Sequence, residues 1–328
     1  MAYESERQRA IESVIQAAKL CRAVRSSCDL QRVIGKTDGS PVTVADFGAQ
    51  ALIALHLSES FPGDVIVGEE QSGALRENQN APVREAVFNQ VRAFHPGLTS
   101  EEILDAIDQG AGNSLSKDRF WTVDPIDGTK GFIRGDQYAV ALALLEKGRV
   151  VLGVLGCPNL PLKWGDTRKG SGSLFVAVKG EGSTMRAFED SGEERIHVAD
   201  TNDPSQAVIC ESFETSHASH KDNARIAQSL GIKGPSLRMD SQCKYGAVSR
   251  GEASIYLRVT SGQSYIEKTW DHTAGSLIVE EAGGRVTDLD GRSLDFSVGR
   301  ELFQNRGIIA SNGKVHGAVL EAVKKLGV

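Results

Sequence analysis

The chain has 328 residues, of which 40% are apolar and 24% charged, and its 37 basic and 43 acidic residues give a net charge of −6. This composition is typical of a globular protein with a substantial core in one or two domains, and it excludes disordered and fibrous classes. A mildly acidic chain lacks the broad basic face that neutralises nucleic-acid phosphates. We therefore expect no nucleic-acid polymer as a partner.

The sequence predicts neither a membrane span nor a secretory signal. Its longest apolar run, 138–145, ends at Glu146, far short of the roughly 20 residues that cross a bilayer, and the N-terminus has no apolar signal segment. Five cysteines without a paired spacing fit a reduced compartment. Cys21 and Cys28 are either a redox pair or, more simply, small buried thiols. We expect an intracellular monomer, most simply cytoplasmic, with an organelle as the alternative.

Hydrophobic periodicity predicts that the first 200 residues mix helices with an antiparallel sheet. Apolar residues at a 3.6-residue spacing indicate a first helix at 5–28, and a second helix follows at 46–59. The other predicted elements are strands at 65–67, 119–123, 138–145, 150–155, 174–179 and 185–188, and helices at 82–94 and 100–109.

The remaining residues alternate between strands and helices, which predicts a second, α/β domain. Strands are predicted at 207–210, 237–239, 253–259, 285–287 and 307–310, and helices at 223–230, 243–250 and 271–282, with a final helix that ends at 326. A polar segment at 189–204 marks the expected boundary. We therefore predict an α+β domain at 1–200 and an α/β domain at 201–328.

The strongest chemical signal is the segment Asp124-Pro-Ile-Asp-Gly128. Pro125 is expected to end the preceding strand by removing a backbone donor, and Gly128 permits a tight turn. Asp124, Asp127 and the Ile126 carbonyl can then face one point, which gives three hard oxygens suited to Mg²⁺. A solvated acidic turn is the alternative, but it would not need the apolar residues around the two carboxylates.

Other polar residues are ambiguous when each is considered alone. Glu69 ends a predicted strand, and Asp271 at a predicted helix start would serve equally as an N-cap. Arg258 in an apolar strand is either an edge residue in water or an anion ligand. His217 and His220 could suggest zinc, but a third ligand is not evident.

The order of several short motifs gives these residues a shared context. Residues 124–129 and 270–275 (Trp-Asp-His-Thr-Ala-Gly) resemble the paired signature of the lithium-sensitive, magnesium-dependent phosphatases of the inositol monophosphatase superfamily. Within it, residues 40–47, 216–220, 239–245 and 256–258 are similar to the 3'(2'),5'-bisphosphate nucleotidase branch. The resemblance extends from the first helix to the C-terminus. It implies the layered αβαβα sugar-phosphatase fold.

The resemblance also implies a role for each matching residue. The metal ligands fall on Glu69, Asp124, the Ile126 carbonyl, Asp127 and Asp271, and Asp46 and Thr129 match the pair that activates the attacking water. The implied substrate-binding residues are Gly128, Thr129, His217, Ser241, Lys244, Arg258 and Asp271.

The implied activity is Mg²⁺-dependent removal of the 3'-phosphate from adenosine 3',5'-bisphosphate, with two or three ions and inhibition by Li⁺. The 3'-phosphoadenylyl sulfate would be a second substrate. Converging carboxylates repel one another unless they bind protons or cations, so we expect the site to be poorly ordered without metal. An inositol polyphosphate 1-phosphatase and a non-catalytic phosphonucleotide sensor are the alternatives.

Overall fold

The computed structural model describes residues 2–36, 39–113, 117–163, 165, 172–213, 219–259 and 265–328. Its helices are α1 (Glu4–Arg25), α2 (Val44–Ser60), α3 (Gly73–Arg76), α4 (Ala81–Phe94), α5 (Ser100–Asp108), α6 (Thr129–Arg134), α7 (His220–Ser229), α8 (Cys243–Ser249), α9 (Thr273–Glu281) and α10 (His316–Leu326). None of these described helices is both long and apolar enough to cross a membrane.

The strands form one large sheet, one smaller sheet and a short ribbon. They are β1 (Val33–Gly35), β2 (Pro41–Thr43), β3 (Val65–Gly68), β4 (Arg119–Asp127), β5 (Ala139–Glu146), β6 (Arg149–Cys157), β7 (Ser173–Val178), β8 (Gly182–Ala187), β9 (Glu194–Arg195), β10 (Ile209–Glu211), β11 (Leu237–Arg238), β12 (Ile255–Arg258), β13 (Arg285–Thr287) and β14 (Ile308–Ser311).

The large sheet has the strand order β3-β4-β5-β6-β7-β8-β9, in which β3 and β4 are parallel and the other neighbours antiparallel. Side chains along β5 alternate between two hydrophobic clusters. Val140, Leu142 and Leu144 pack in the cluster that contains α1 and α2, whereas the alanines between them face α9. Successive side chains of a strand point to opposite faces of the sheet, so β5 contributes to the hydrophobic packing on both faces. The small residues on the second face let α9 approach closely.

The smaller sheet has the order β11-β10-β12-β14-β13, with β10 parallel to both of its neighbours and β14 antiparallel to both of its own. Helices α8 and α9 lie between the two sheets, and α7 and α10 cover the far face of the smaller one. Gly275 permits the close packing of α8 on α9, because a Cβ there would lie 2.2 Å from the Tyr245 ring. The result is five layers, α-β-α-β-α, so the predicted fold class is confirmed.

Two local predictions are wrong. Pro125 does not end its strand: β4 continues to Asp127, with a register shift against β5 between Asp124 and Asp127. The bulge absorbs the proline, because a bulged residue needs no ladder hydrogen bond. Asp271 lies not in α9 but in the 3₁₀ turn Thr269–Asp271 before it. The sequence also gave no signal for the short helix α3.

The predicted domain boundary stays a prediction. Strand β9 lies inside the segment 189–204 and pairs with β8 at the edge of the large sheet. One hydrophobic cluster contains residues from both predicted domains, including Leu155 and Tyr256. The five cysteines are free thiols; Cys21 is buried and Cys28 exposed.

Candidate metal centre and active site

A cavity of about 570 Å³ opens where β4 ends, between the large sheet and the smaller one. Ten of the predicted site residues line it, namely Glu69, Asp124, Ile126, Asp127, Gly128, Thr129, Ser241, Lys244, Arg258 and Asp271. Asp46 lies behind Thr129, outside the lining. His217 lies outside the described residues. The chain segments that carry this set are as much as 200 residues apart, so the fold rather than local sequence brings them together.

The bulged end of β4 presents the first group of oxygens to the cavity. Gly128 follows with φ +85°, a left-handed conformation that side chains with a Cβ rarely adopt. A Cβ there would also lie 3.0 Å from that of Ser241. The turn therefore needs glycine for two reasons, and it starts α6 immediately at Thr129.

Asp124 is buried with an oxygen that lacks a partner. Its side chain is 2% exposed, and Oδ1 has no hydrogen-bond partner among the described residues. Burial raises the pKa of Asp124 well above its ordinary value, and the nearby charges of Glu69, Asp127 and Asp271 raise it further. A buried, unpartnered carboxylate among other carboxylates is expensive unless a cation neutralises it. Hard oxygen donors of this kind fit Mg²⁺.

Two further carboxylates, Asp127 and Asp271, line the cavity. Asp127 accepts a hydrogen bond of 2.6 Å from the Gln242 backbone N–H, and burial raises its pKa despite the opposing charges of Lys244 and Arg258. Burial also raises the pKa of Asp271. Both groups would gain from a bound cation, because burial penalises their charged forms.

Asp46 and Thr129 form a hydrogen-bonded pair at the edge of the cavity. The Thr129 hydroxyl lies 3.1 Å from Oδ1 of Asp46 and 3.2 Å from the Ile126 carbonyl. Oδ2 of Asp46 accepts from the Thr43 hydroxyl and N–H at 2.6 and 2.7 Å, in the capping box of α2. Burial raises the pKa of Asp46 to about 6, although these Thr43 hydrogen bonds oppose it. The carboxylate is thus fixed and titrates close to neutral pH.

Lys36 is a cavity residue that the sequence did not single out. Its Nζ lies 2.6 Å from Oε1 of Glu69 and 2.6 Å from Oε1 of Glu70. Burial opposes the charged form, but the two carboxylates raise the pKa of Lys36 above its ordinary value. The ammonium group therefore neutralises part of the acidic cluster. Residues 35–41 are rich in turn-forming types, which does not specify a contact between Lys36 and Glu69.

Two cations, Lys244 and Arg258, also line the cavity. The Lys244 ammonium donates to the Ser241 carbonyl at 2.7 Å and lies 5.2 Å from the centre of the Tyr256 ring. Burial lowers the pKa of Lys244. The Arg258 guanidinium is 8% exposed, and its Nη2 lies 3.2 Å from the Tyr265 hydroxyl and 3.6 Å from Oδ2 of Asp271. These two cations, held in place beside aromatic rings, could bind an anionic group of a ligand in the cavity.

A buried hydrogen-bond network behind Arg258 also escaped the sequence analysis. Arg258 Nε lies 3.0 and 2.9 Å from the two oxygens of Glu267. His272 contacts Glu267 through Nε2 at 3.0 Å and the Tyr245 hydroxyl through Nδ1 at 2.8 Å. Ligand atoms of Glu267, Asp271 and His272 lie within 4.8 Å of one another, and no three of the predicted carboxylates approach so closely in the described chain. However, both His272 nitrogens are already engaged, so this group holds Arg258 rather than an ion.

Known proteins resemble this chain in sequence and in fold. The model of the inositol monophosphatase family matches residues 3–327, nearly the whole chain. The chain belongs to the inositol monophosphatase family. This family is metal-dependent, typically on Mg²⁺. Among curated relatives, a 3'(2'),5'-bisphosphate nucleotidase of Emericella nidulans is 43% identical over 99% of each chain. The 3'(2'),5'-bisphosphate nucleotidase 1 of Arabidopsis thaliana is 44% identical over 99% of this chain and 97% of its own.

Solved structures of family members share the fold. An inositol monophosphatase from Anabaena has a TM-score of 0.62 and 20% identity, with coverage of 99% of this chain and 97% of its own. The IMPase of Thermotoga maritima has a TM-score of 0.67 and 22% identity, with coverage of 97% and 96%. At this identity the likeness establishes the inositol monophosphatase architecture alone.

Proposed function

We propose that the chain hydrolyses the 3'-phosphate of adenosine 3',5'-bisphosphate to AMP and phosphate, and also takes 3'-phosphoadenylyl sulfate. The observation that supports this substrate best is that one cavity is lined both by the proposed metal-binding carboxylates and by two cations, Lys244 and Arg258. Such a cavity suits a molecule that carries two phosphates. The names of the curated relatives point to the same reaction.

The metal site of the proposal consists of Glu69, Asp124, the Ile126 carbonyl, Asp127 and Asp271. We propose two or three Mg²⁺ ions and inhibition by Li⁺. Mg²⁺ supplies charge stabilisation and acidifies a coordinated water. In this proposal these residues fix where the 3'-phosphate and its leaving oxygen lie.

Asp46 and Thr129 provide the route for the proton. The Thr129 hydroxyl orients the attacking water by accepting its hydrogen bond, while it donates its own proton toward Oδ1 of Asp46 at 3.1 Å. As the water attacks phosphorus, its proton passes to Thr129 Oγ1 and the Thr129 proton passes to Asp46. The bond between phosphorus and the ribose 3'-oxygen breaks, and this oxygen takes a proton from a solvent water to leave as the 3'-hydroxyl of AMP. General-base help of this kind contributes about 10² to 10⁴ in rate.

Lys244 and Arg258 hold the 5'-phosphate in this scheme. An Arg guanidinium binds a phosphate through two parallel hydrogen bonds, and charge-assisted bonds are about twice as strong as neutral ones. Gly128, Ser241 and Asp271 also line the cavity, and we propose that they contact the nucleotide between its two phosphates. We also propose that His217 contacts the nucleotide, on the basis of the sequence resemblance alone.

The test is phosphate release from adenosine 3',5'-bisphosphate, 3'-AMP and inositol 1,4-bisphosphate. Each compound is assayed with saturating Mg²⁺, with EDTA, and with Mg²⁺ plus increasing LiCl. We expect rapid Mg²⁺-dependent release from adenosine 3',5'-bisphosphate, slow release from 3'-AMP, and loss of activity with LiCl. Faster release from inositol 1,4-bisphosphate would instead identify an inositol polyphosphate 1-phosphatase. Calorimetric binding of the nucleotide without turnover would identify a sensor.

A further inference from the structure

Arg300 lies outside the predicted site but belongs to a segment paired with it. The Arg300 carbonyl accepts a hydrogen bond of 3.0 Å from the Thr269 N–H, and Lys268 and Glu301 form an antiparallel bridge and an ion pair. The segment that leads into Asp271 is thus attached to the Arg300 backbone.

The Arg300 side chain reaches across to the other half of the site. Its Nη2 donates to the Gly68 carbonyl at 2.6 Å, and its Nη1 donates to the Gly110 carbonyl at 2.9 Å. Gly68 is the last residue of β3 and directly precedes Glu69. From the opposite side, Gln50 holds the main chain of Glu70 through its N–H at 2.9 Å and its carbonyl at 2.6 Å.

The same guanidinium stacks on Trp270, with its carbon 4.6 Å from the centre of the ring. Trp270 directly precedes Asp271. One planar cation therefore contacts the neighbours of two proposed metal ligands, Glu69 directly after β3 and Asp271 in the 3₁₀ turn before α9. Bidentate donation combined with stacking is specific to arginine, because a lysine ammonium is a point charge without a planar face.

We infer that Arg300 is a positioning residue that fixes the distance between Glu69 and Asp271 across the proposed metal centre. The inference rests on the proposed metal site and not on the identity of the substrate. Carboxylates that face one cavity repel one another, so a site without such a tie would widen before an ion arrives. Groups that orient metal ligands without touching the metal typically contribute 10- to 100-fold in metal affinity or activity.

The test compares Arg300→Lys with a matched control, Arg250→Lys. Arg250 also donates to two main-chain carbonyls, of Pro161 at 2.7 Å and Leu162 at 3.2 Å, and stacks on Phe175 at 5.8 Å, but it does not line the cavity. Mn²⁺ binding to the full chain without substrate is measured by electron paramagnetic resonance, and circular dichroism melts report the fold. Arg300→Gln serves as a second variant if the first does not fold.

We expect Arg300→Lys to raise the Mn²⁺ dissociation constant about 10- to 100-fold. Arg250→Lys should change this constant less than about twofold. Similar melting temperatures of the two variants would show that the difference does not come from a loss of stability. The kcat at saturating Mg²⁺ should recover to within about threefold of wild type, because the ligands themselves remain. Equal dissociation constants for Arg300→Lys and wild type would overturn the inference alone. Absence of Mn²⁺ binding by the wild type would overturn the proposed metal site with it.

Discussion

Substitution of Glu267 by glutamine tests how the second phosphate site is held. Arg258 has two carboxylates within reach: Glu267, whose oxygens lie 3.0 and 2.9 Å from Nε, and Asp271, whose Oδ2 lies 3.6 Å from Nη2. Glu267 is 1% exposed, and it orients the guanidinium of Arg258, which lines the cavity.

The magnitude follows from what the substitution removes. Glu267→Gln keeps the shape and one acceptor oxygen but loses a buried charge-assisted contact, which costs about 2–3 kcal/mol. With Glu267 neutral, Asp271 becomes the nearest carboxylate and attracts Arg258 away from the phosphate. If about 1.4 kcal/mol of this cost appears in substrate binding, the KM for adenosine 3',5'-bisphosphate rises about tenfold. The Mg²⁺ concentration for half-maximal rate rises too, because Asp271 is partly neutralised.

The assay is the initial rate of phosphate release from adenosine 3',5'-bisphosphate and from 3'-AMP at two Mg²⁺ concentrations. We expect the tenfold change in KM for the bisphosphate only, with kcat within about threefold at saturating Mg²⁺. The matched control is Glu252→Gln, since Glu252 lies 2.8 Å from Nε of the buried Arg250 but does not line the cavity. An unchanged KM in Glu267→Gln, or an equal rise for both substrates, would refute the reasoning.

Three further results are expected. Asp124→Asn lowers kcat at least about 100-fold yet raises the unfolding midpoint in EDTA, because it removes a buried charge among like charges; a lower midpoint would contradict the repulsion. Lys244→Met raises the KM for the bisphosphate about tenfold but leaves the KM for inositol 1-phosphate unchanged. An equal rise in both KM values would contradict the proposal that Lys244 binds the 5'-phosphate. In EDTA the unfolding midpoint falls as the pH rises from 5 to 8, because carboxyls such as Asp46, with a pKa of about 6, bind more protons in the folded than in the unfolded chain. Added Mg²⁺ then stabilises the protein more at pH 8 than at pH 5, and a pH-independent Mg²⁺ effect would contradict this sign.

The sequence predicted the layers well because the two patterns that define helices and strands, apolar spacing and apolar alternation, are local. The spacing of apolar residues defined α1, and the alternation of Val140, Leu142 and Leu144 with alanines defined β5. What failed was geometry that depends on neighbours. Pro125 is typical of a strand end, but pairing with β5 on both sides of the proline, at Asp124 and at Asp127, continues β4 through it as a bulge.

The site residues also divide into those that a local motif identifies and those that only the fold brings together. A motif could identify Asp124 and Asp127, since both belong to one short segment. Lys36, Glu267 and Arg300 gave no such signal, because each acts through a contact made by the fold with a residue 9 to 232 positions away. Pairings of this kind depend on how the two sheets are placed, and no local pattern encodes them.

The most direct test of the metal centre is a crystal structure of the protein soaked in Mn²⁺, with anomalous scattering to locate the ions. The account predicts peaks within about 2.0 to 2.5 Å of carboxylate oxygens of Glu69, Asp124, Asp127 and Asp271, with the Lys36 ammonium displaced from Glu69. Peaks only between Glu267 and His272, or none in the cavity, would contradict it.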